Sequence, residues 1–119
     1  AYRVGFADGN FGAGATEFTD GLYFRKLLLD TQWSVVCRAN DVETVVGIAS
    51  GTNGWVNGAT IERDGINIKF TFPGQASVII GSNIPAVALV PVIAVSSRNS
   101  ETKTVKIDRF RIFISGLAR

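Results

Sequence analysis

The stretch Thr102-Lys103-Thr104-Val105-Lys106-Ile107-Asp108-Arg109-Phe110-Arg111-Ile112-Phe113-Ile114-Ser115-Gly116 alternates apolar and polar residues with a period of two. That period is the signature of a β-strand. Asp108, Phe110, Ile112 and Ile114 share one face; Val105, Ile107, Arg109, Arg111 and Phe113 share the other. Both faces carry apolar side chains, so the reading predicts a strand in the middle of a sheet. Val, Ile and Phe suit a pleated, half-buried surface.

Working back from this stretch, shorter segments of the same kind recur. Tyr2–Ala7, Leu22–Leu29, Trp33–Arg38, Val42–Ala49, Ala59–Arg63, Ile66–Phe72, Ala76–Ile80 and Leu89–Ser96 all read as strands. In Ile66–Phe72 the alternation is clean, with Ile66, Ile68, Phe70 and Phe72 predicted inward and Asn67, Lys69 and Thr71 outward. Pro91 marks a strand start or a bulge, because proline cannot donate to a ladder. Turns are signalled at Asp30-Thr31-Gln32, at Ala39-Asn40-Asp41, at Asp64-Gly65 as a two-residue hairpin, at Pro73-Gly74-Gln75 and at Ser97–Glu101. Two loops are Gly-rich: Asp8–Thr19, and Ser50–Gly58 with Trp55 inside it. About nine short strands and no convincing helix predict an antiparallel all-β sandwich.

The chain's 119 residues fit one domain, 1–119, long enough to bury a core. Apolar residues are 46% and charged residues 18%, which excludes a disordered chain. A net charge of +2, with Arg25-Lys26 as the only adjacent cationic pair, is no footprint for nucleic acid. No apolar run reaches the roughly 18 residues of a membrane helix, so no membrane insertion is expected. The first residues do not follow a signal-peptide pattern. The absence of Met and the start at Ala1 fit a processed chain or a piece of a longer protein.

Catalytic and metal chemistry find little to work with. There is no histidine, the commonest general base and metal ligand. Cys37 is the only cysteine, lies in a strand-like run and reads as a small buried apolar residue. Asp8, Asp20, Asp30, Asp41 and Asp64 stand at strand ends. Asp8 and Asp20 flank the long loop and could meet, but turn and capping roles account for all five. Asp108 reads as a structural carboxylate with a hydrogen-bond partner from another strand. Glu17, Glu43, Glu62 and Glu101 are scattered singly, and no strand carries the paired carboxylates of a glycosidase. The expectation is a chain that is not an enzyme and has no metal and no cofactor.

Trp55, with Asn53 and Asn57 beside it, combines an aromatic face with amide hydrogen-bond partners, which is the chemistry of a carbohydrate site. The plainer reading of Trp55 is a plug at the rim of the sandwich. For Trp33 it is packing in the core or an interface.

The landmarks also follow a familiar order. Tyr2-Arg3-Val4-Gly5-Phe6-Ala7-Asp8 precedes Thr19-Asp20-Gly21-Leu22-Tyr23-Phe24. Trp33–Arg38, Glu43–Val46, Trp55, Ala59–Glu62 and Gly65–Gly74 follow, and Asn83-Ile84-Pro85, Leu89-Val90-Pro91 and Val105–Phe110 close the series. In this order the chain resembles the concanavalin A-like (lectin/laminin-G-like) β-sandwich domain of bacteriophage structural proteins. It departs from that pattern at Trp55-Val56, where the family has Trp-His, and in the small residues of its first long loop. The resemblance implies a jelly roll serving as a virion structural protein: a tail or head fibre, capsid decoration or baseplate component. It implies a homo-oligomer, by analogy a trimer, with other virion proteins as partners. A lectin-like module binding a host cell-surface glycan through Trp55, Asn53 and Asn57 is the alternative. Mild overall apolarity, with a mean hydropathy of +0.24, fits a chain that covers apolar surface by association.

Overall fold

The computed structural model describes residues 1–9, 17–48, 58–96 and 111. Within them the chain forms eight strands and no helix: β1 (Tyr2–Ala7), β2 (Gly21–Lys26), β3 (Trp33–Ala39), β4 (Val42–Ile48), β5 (Thr60–Asp64), β6 (Asn67–Thr71), β7 (Val78–Ile80) and β8 (Val90–Val95). They make two antiparallel sheets, one of five strands in the order β4-β3-β2-β1-β8 and one of three in the order β5-β6-β7. Thr102–Gly116, with the ninth strand that its alternation predicts, lies outside the described residues apart from Arg111.

The two sheets meet through their apolar rows. Phe24, Trp33, Val35, Cys37 and Ile48 of the larger sheet share a core with Ile68, Phe70 and Ile80 of the smaller one and with Phe72, which follows β6. Phe24 meets Phe70 edge to face, with ring centroids 5.6 Å apart and planes at 87°. Phe72 fits between Phe24 and Trp33, at 5.8 Å and 6.3 Å. This is a sandwich-like arrangement, and it explains why Ile68, Phe70 and Phe72 alternate with polar residues. A polar stitch closes one margin of it. Asn83 Nδ2 donates to Thr44 Oγ1 at 2.9 Å, and that hydroxyl lies 2.6 Å from Ser82 Oγ. The bond ties Asn83-Ile84-Pro85 to β4, with Ile84 against the core.

Two segments depart from the sequence reading. Ile66 was expected inward, yet it is 84% exposed. The pairing Asp64↔Asn67 puts Gly65 and Ile66, not Asp64 and Gly65, at the centre of the hairpin. Gly65 has φ +63° and Ile66 is not at positive φ, as a II′ turn requires. The strand expected over Leu22–Leu29 ends at Lys26. Asp30 N donates to Leu27 O at 3.2 Å, and Leu27 N donates to Asp30 Oδ2 at 3.0 Å, so Leu27–Asp30 is a closed turn. Its carboxylate wins the backbone away from the ladder. The β3–β4 connection follows its sequence. Ala39 pairs with Val42, and Asn40 and Asp41 both sit at positive φ (49° and 65°), the I′ geometry.

Candidate functional site: a buried arginine–carboxylate ladder

The register decides which residues share the outward face of the larger sheet. Arg3 lies directly opposite Arg25, Gly5 opposite Tyr23, and Arg38 opposite Glu43. Two arginines directly across an antiparallel pair repel each other. Glu17, in the segment leading into β2, resolves this conflict. Its carboxylate accepts from Arg3 Nε at 2.5 Å and from Arg25 Nη1 at 2.7 Å. Arg25 in turn donates to both oxygens of Glu43, at 2.9 Å and 3.2 Å. Arg38 donates to Glu43 at 3.2 Å and to Asp41 at 3.0 Å. The result is an alternating series, Arg3–Glu17–Arg25–Glu43–Arg38–Asp41, across β1, β2, β3 and β4.

Most of this ladder is withdrawn from water. The side chains of Arg3, Arg25 and Glu17 are 4%, 10% and 11% exposed. Burial by itself raises the Glu17 carboxyl, but hydrogen bonds from Arg3 and Arg25 and the Arg3 charge together outweigh it, and the net shift is downward. Burial lowers the Arg25 guanidinium, and the bonds to Glu43 and Glu17 reverse that. Beneath lies Tyr23, fully buried and packed with Ala7, Val36 and Phe18. Burial, with the nearby Glu17 charge and a hydrogen bond to its carboxylate, pushes the Tyr23 hydroxyl's ionisation upward.

The residues singled out from the sequence fall into place as follows. Asn53, Trp55 and Asn57 lie outside the described residues, as do Asp108 and Glu101. Trp33 is a core residue, 5% exposed. Cys37 is fully buried and burial pushes its thiol up to about 12, the reverse of an activated nucleophile. Asp8 and Asp20 do meet, through Asp8 N donating to Asp20 O at 3.1 Å, while the Asp20 carboxylate accepts from Asn40 N at 3.2 Å. Asp30 closes the Leu27 turn and Asp64 is exposed in β5. Among the described residues no group of three or more acidic or cysteine ligands converges on a metal position.

The glutamates are the correction. Read singly along the chain, Glu17 and Glu43 have nothing in common, yet both touch Arg25 Nη1. The missing signal was two arginines falling opposite each other once β1 and β2 are paired. Chemically the pair is spoken for. A glycosidase acid must hold a proton near neutral pH, whereas Glu17 is held below the usual carboxylate range. The ladder's geometry is that of a fastening. Compared with protein-family models, curated proteins and solved structures, the chain matches none.

Proposed function

We propose that this chain is a non-enzymatic virion structural domain, a concanavalin A-like jelly roll that works by associating with copies of itself and with neighbouring virion proteins. The observation that carries the association is where large apolar side chains face solvent. On and beside β8, the last strand of the described sheet, Val87, Val90, Ile93 and Val95 are 37–51% exposed. Leu28 and Leu29 occupy the corner of the Leu27–Asp30 turn at 51% and 87%. Ile93 and Val95 lie in register with Val4 and Tyr2 on one face of the sheet and Val90 with Ala7 on the other; large apolar side chains left exposed along a sheet margin favour association. The order of sequence landmarks supports the virion assignment and, with it, a trimer. Host-surface attachment through Trp55, Asn53 and Asn57 is part of the same proposal and rests on the sequence.

The test is the molar mass in solution, by light scattering behind a sizing column over a hundredfold range of concentration. A trimer or larger assembly that Ile93→Asp dissociates supports the proposal. A monomer at every concentration refutes self-association. A glycan array read with the chain and with Trp55→Ala tests attachment: loss of binding in the variant supports it, and no binding by either refutes it.

A further inference from the structure

The four residues Glu17–Asp20 cross the outward face of the larger sheet, and each is held by a different group. Glu17 is clamped between Arg3 and Arg25. The Phe18 ring, 1% exposed, meets Tyr23 edge to face at 5.6 Å, and its carbonyl accepts from Arg38 Nε. Thr19 O accepts from Asp41 N at 3.0 Å. Asp20 accepts from Asp8 N at 3.1 Å through its carbonyl and from Asn40 N at 3.2 Å through its carboxylate. The apolar cluster that Phe18 completes over Ala7, Tyr23 and Val36 is separate from the core between the sheets. The segment can therefore lift without parting the two sheets.

We propose that Glu17–Asp20 is a strap that protonation of Glu17 releases, uncovering the apolar outward face around Tyr23 and Val36. Among the described residues, the Glu17 carboxylate is the group that bonds both of two arginines standing directly opposite each other in register. A neutral Glu17 leaves those like charges facing across the β1–β2 pair, at low exposure, where charge is costly. Among the described residues, the charged and titratable groups bearing on the strap are Arg3 from β1, Asp8 just after it, Tyr23 and Arg25 from β2, Arg38 from β3, Asp41 from the turn after it and Glu43 from β4, with Asp20 in the strap itself holding the Asn40 amide. Of the carboxylates, Glu43 holds Arg25 and Arg38, while Asp41 holds Arg38, so neither separates Arg3 from Arg25. Glu17 is held below its ordinary value of 4.5 when the strap is closed. Protons therefore favour the open form: closure is complete above that value and weakens as pH falls through the lowered one. Within that window, opening grows by at most about tenfold per pH unit.

Hydrogen exchange on the full chain between pH 7 and pH 3.5 reads this directly, expressed as protection factors so that the intrinsic pH dependence of exchange cancels. The amides of Asp8, Asn40 and Asp41 donate to the strap and report it. The β2–β3 ladder reports the sheet. In the wild type, the three amides are expected to lose protection as pH falls below 4.5, by at most about tenfold per pH unit, while the ladder keeps its own. In Glu17→Gln they are expected to be weakly protected at neutral pH and no longer to depend on this proton. Loss of strap and ladder protection in a single step in the wild type overturns the proposal, and this holds even if the variant does not fold. So does wild-type protection at the three amides in a folded Glu17→Gln chain.

Discussion

Phe70→Ala probes the contact on which the two-sheet arrangement depends. Phe70 is 1% exposed, and its ring meets Phe24 of the facing sheet at 5.6 Å and 87°. Burying a side chain of this size contributes about 1.5–3 kcal/mol. An edge-to-face aromatic pair adds about 0.5–1.5 kcal/mol. Truncation also leaves a cavity that Ile68, Phe72 and Ile80 fill only in part, giving about 3–5 kcal/mol in all. Against a total stability of about 5–15 kcal/mol that is a large fraction. At roughly 4 °C per kcal/mol for a chain of this size, the thermal midpoint falls about 12–20 °C. Urea unfolding followed by tryptophan emission and by far-ultraviolet circular dichroism measures the loss. Phe24→Leu combined with Phe70→Leu should show a coupling of about 1 kcal/mol. A Phe70→Ala loss below about 1 kcal/mol, or additive effects of the two leucines, would refute the packing of one sheet on the other through this pair.

Other outcomes follow from single sites. At pH 8, Cys37 has a thiolate fraction on the order of 10⁻⁴ when its thiol sits at about 12, so Ellman's reagent should label it only on unfolding. Tyr23 keeps its proton in the folded chain above its ordinary value of 10.0. Its contribution to stability is whole below pH 10 and is lost as pH rises beyond it, so the urea midpoint should fall in that range and Tyr23→Phe should flatten the fall. Asp41 sits at φ 65° with an exposed ion pair to Arg38. Asp41→Gly should hold stability within about 0.5 kcal/mol. Asp41→Val should cost about 1–3 kcal/mol, because a β-branched residue resists that backbone. A Cβ at Gly5 would fall on the carbonyl oxygen of Leu22 and within 2.7 Å of the Tyr23 Cα, so Gly5→Ala should lower the thermal midpoint by the equivalent of about 1–3 kcal/mol.

Period-two alternation and turn chemistry are local properties, and what depends on them was legible in the sequence. β1 spans Tyr2–Ala7 as its alternation predicts, and Asn40-Asp41 makes the hairpin its residue types favour. Ile68, Phe70 and Phe72 face inward for the same reason. Local pattern failed where two local signals competed. Apolar character argued that Leu27–Leu29 continue a strand, but the Asp30 carboxylate captured the Leu27 amide and closed a turn. Ile66 looked like the first residue of an inward row, but the register of β5 on β6 placed it in the hairpin. The ladder was out of reach altogether. Arg3, Glu17, Arg25, Arg38 and Glu43 are separated along the chain and carry no common motif. They become neighbours only when β1, β2, β3 and β4 pair in one register, because a cross-strand contact is set by alignment and not by sequence distance. The sequence by itself determined that the chain is β and where most of its strands begin. The tertiary structure alone decided that three arginines share one face, and that a glutamate from outside the strands must lie between two of them.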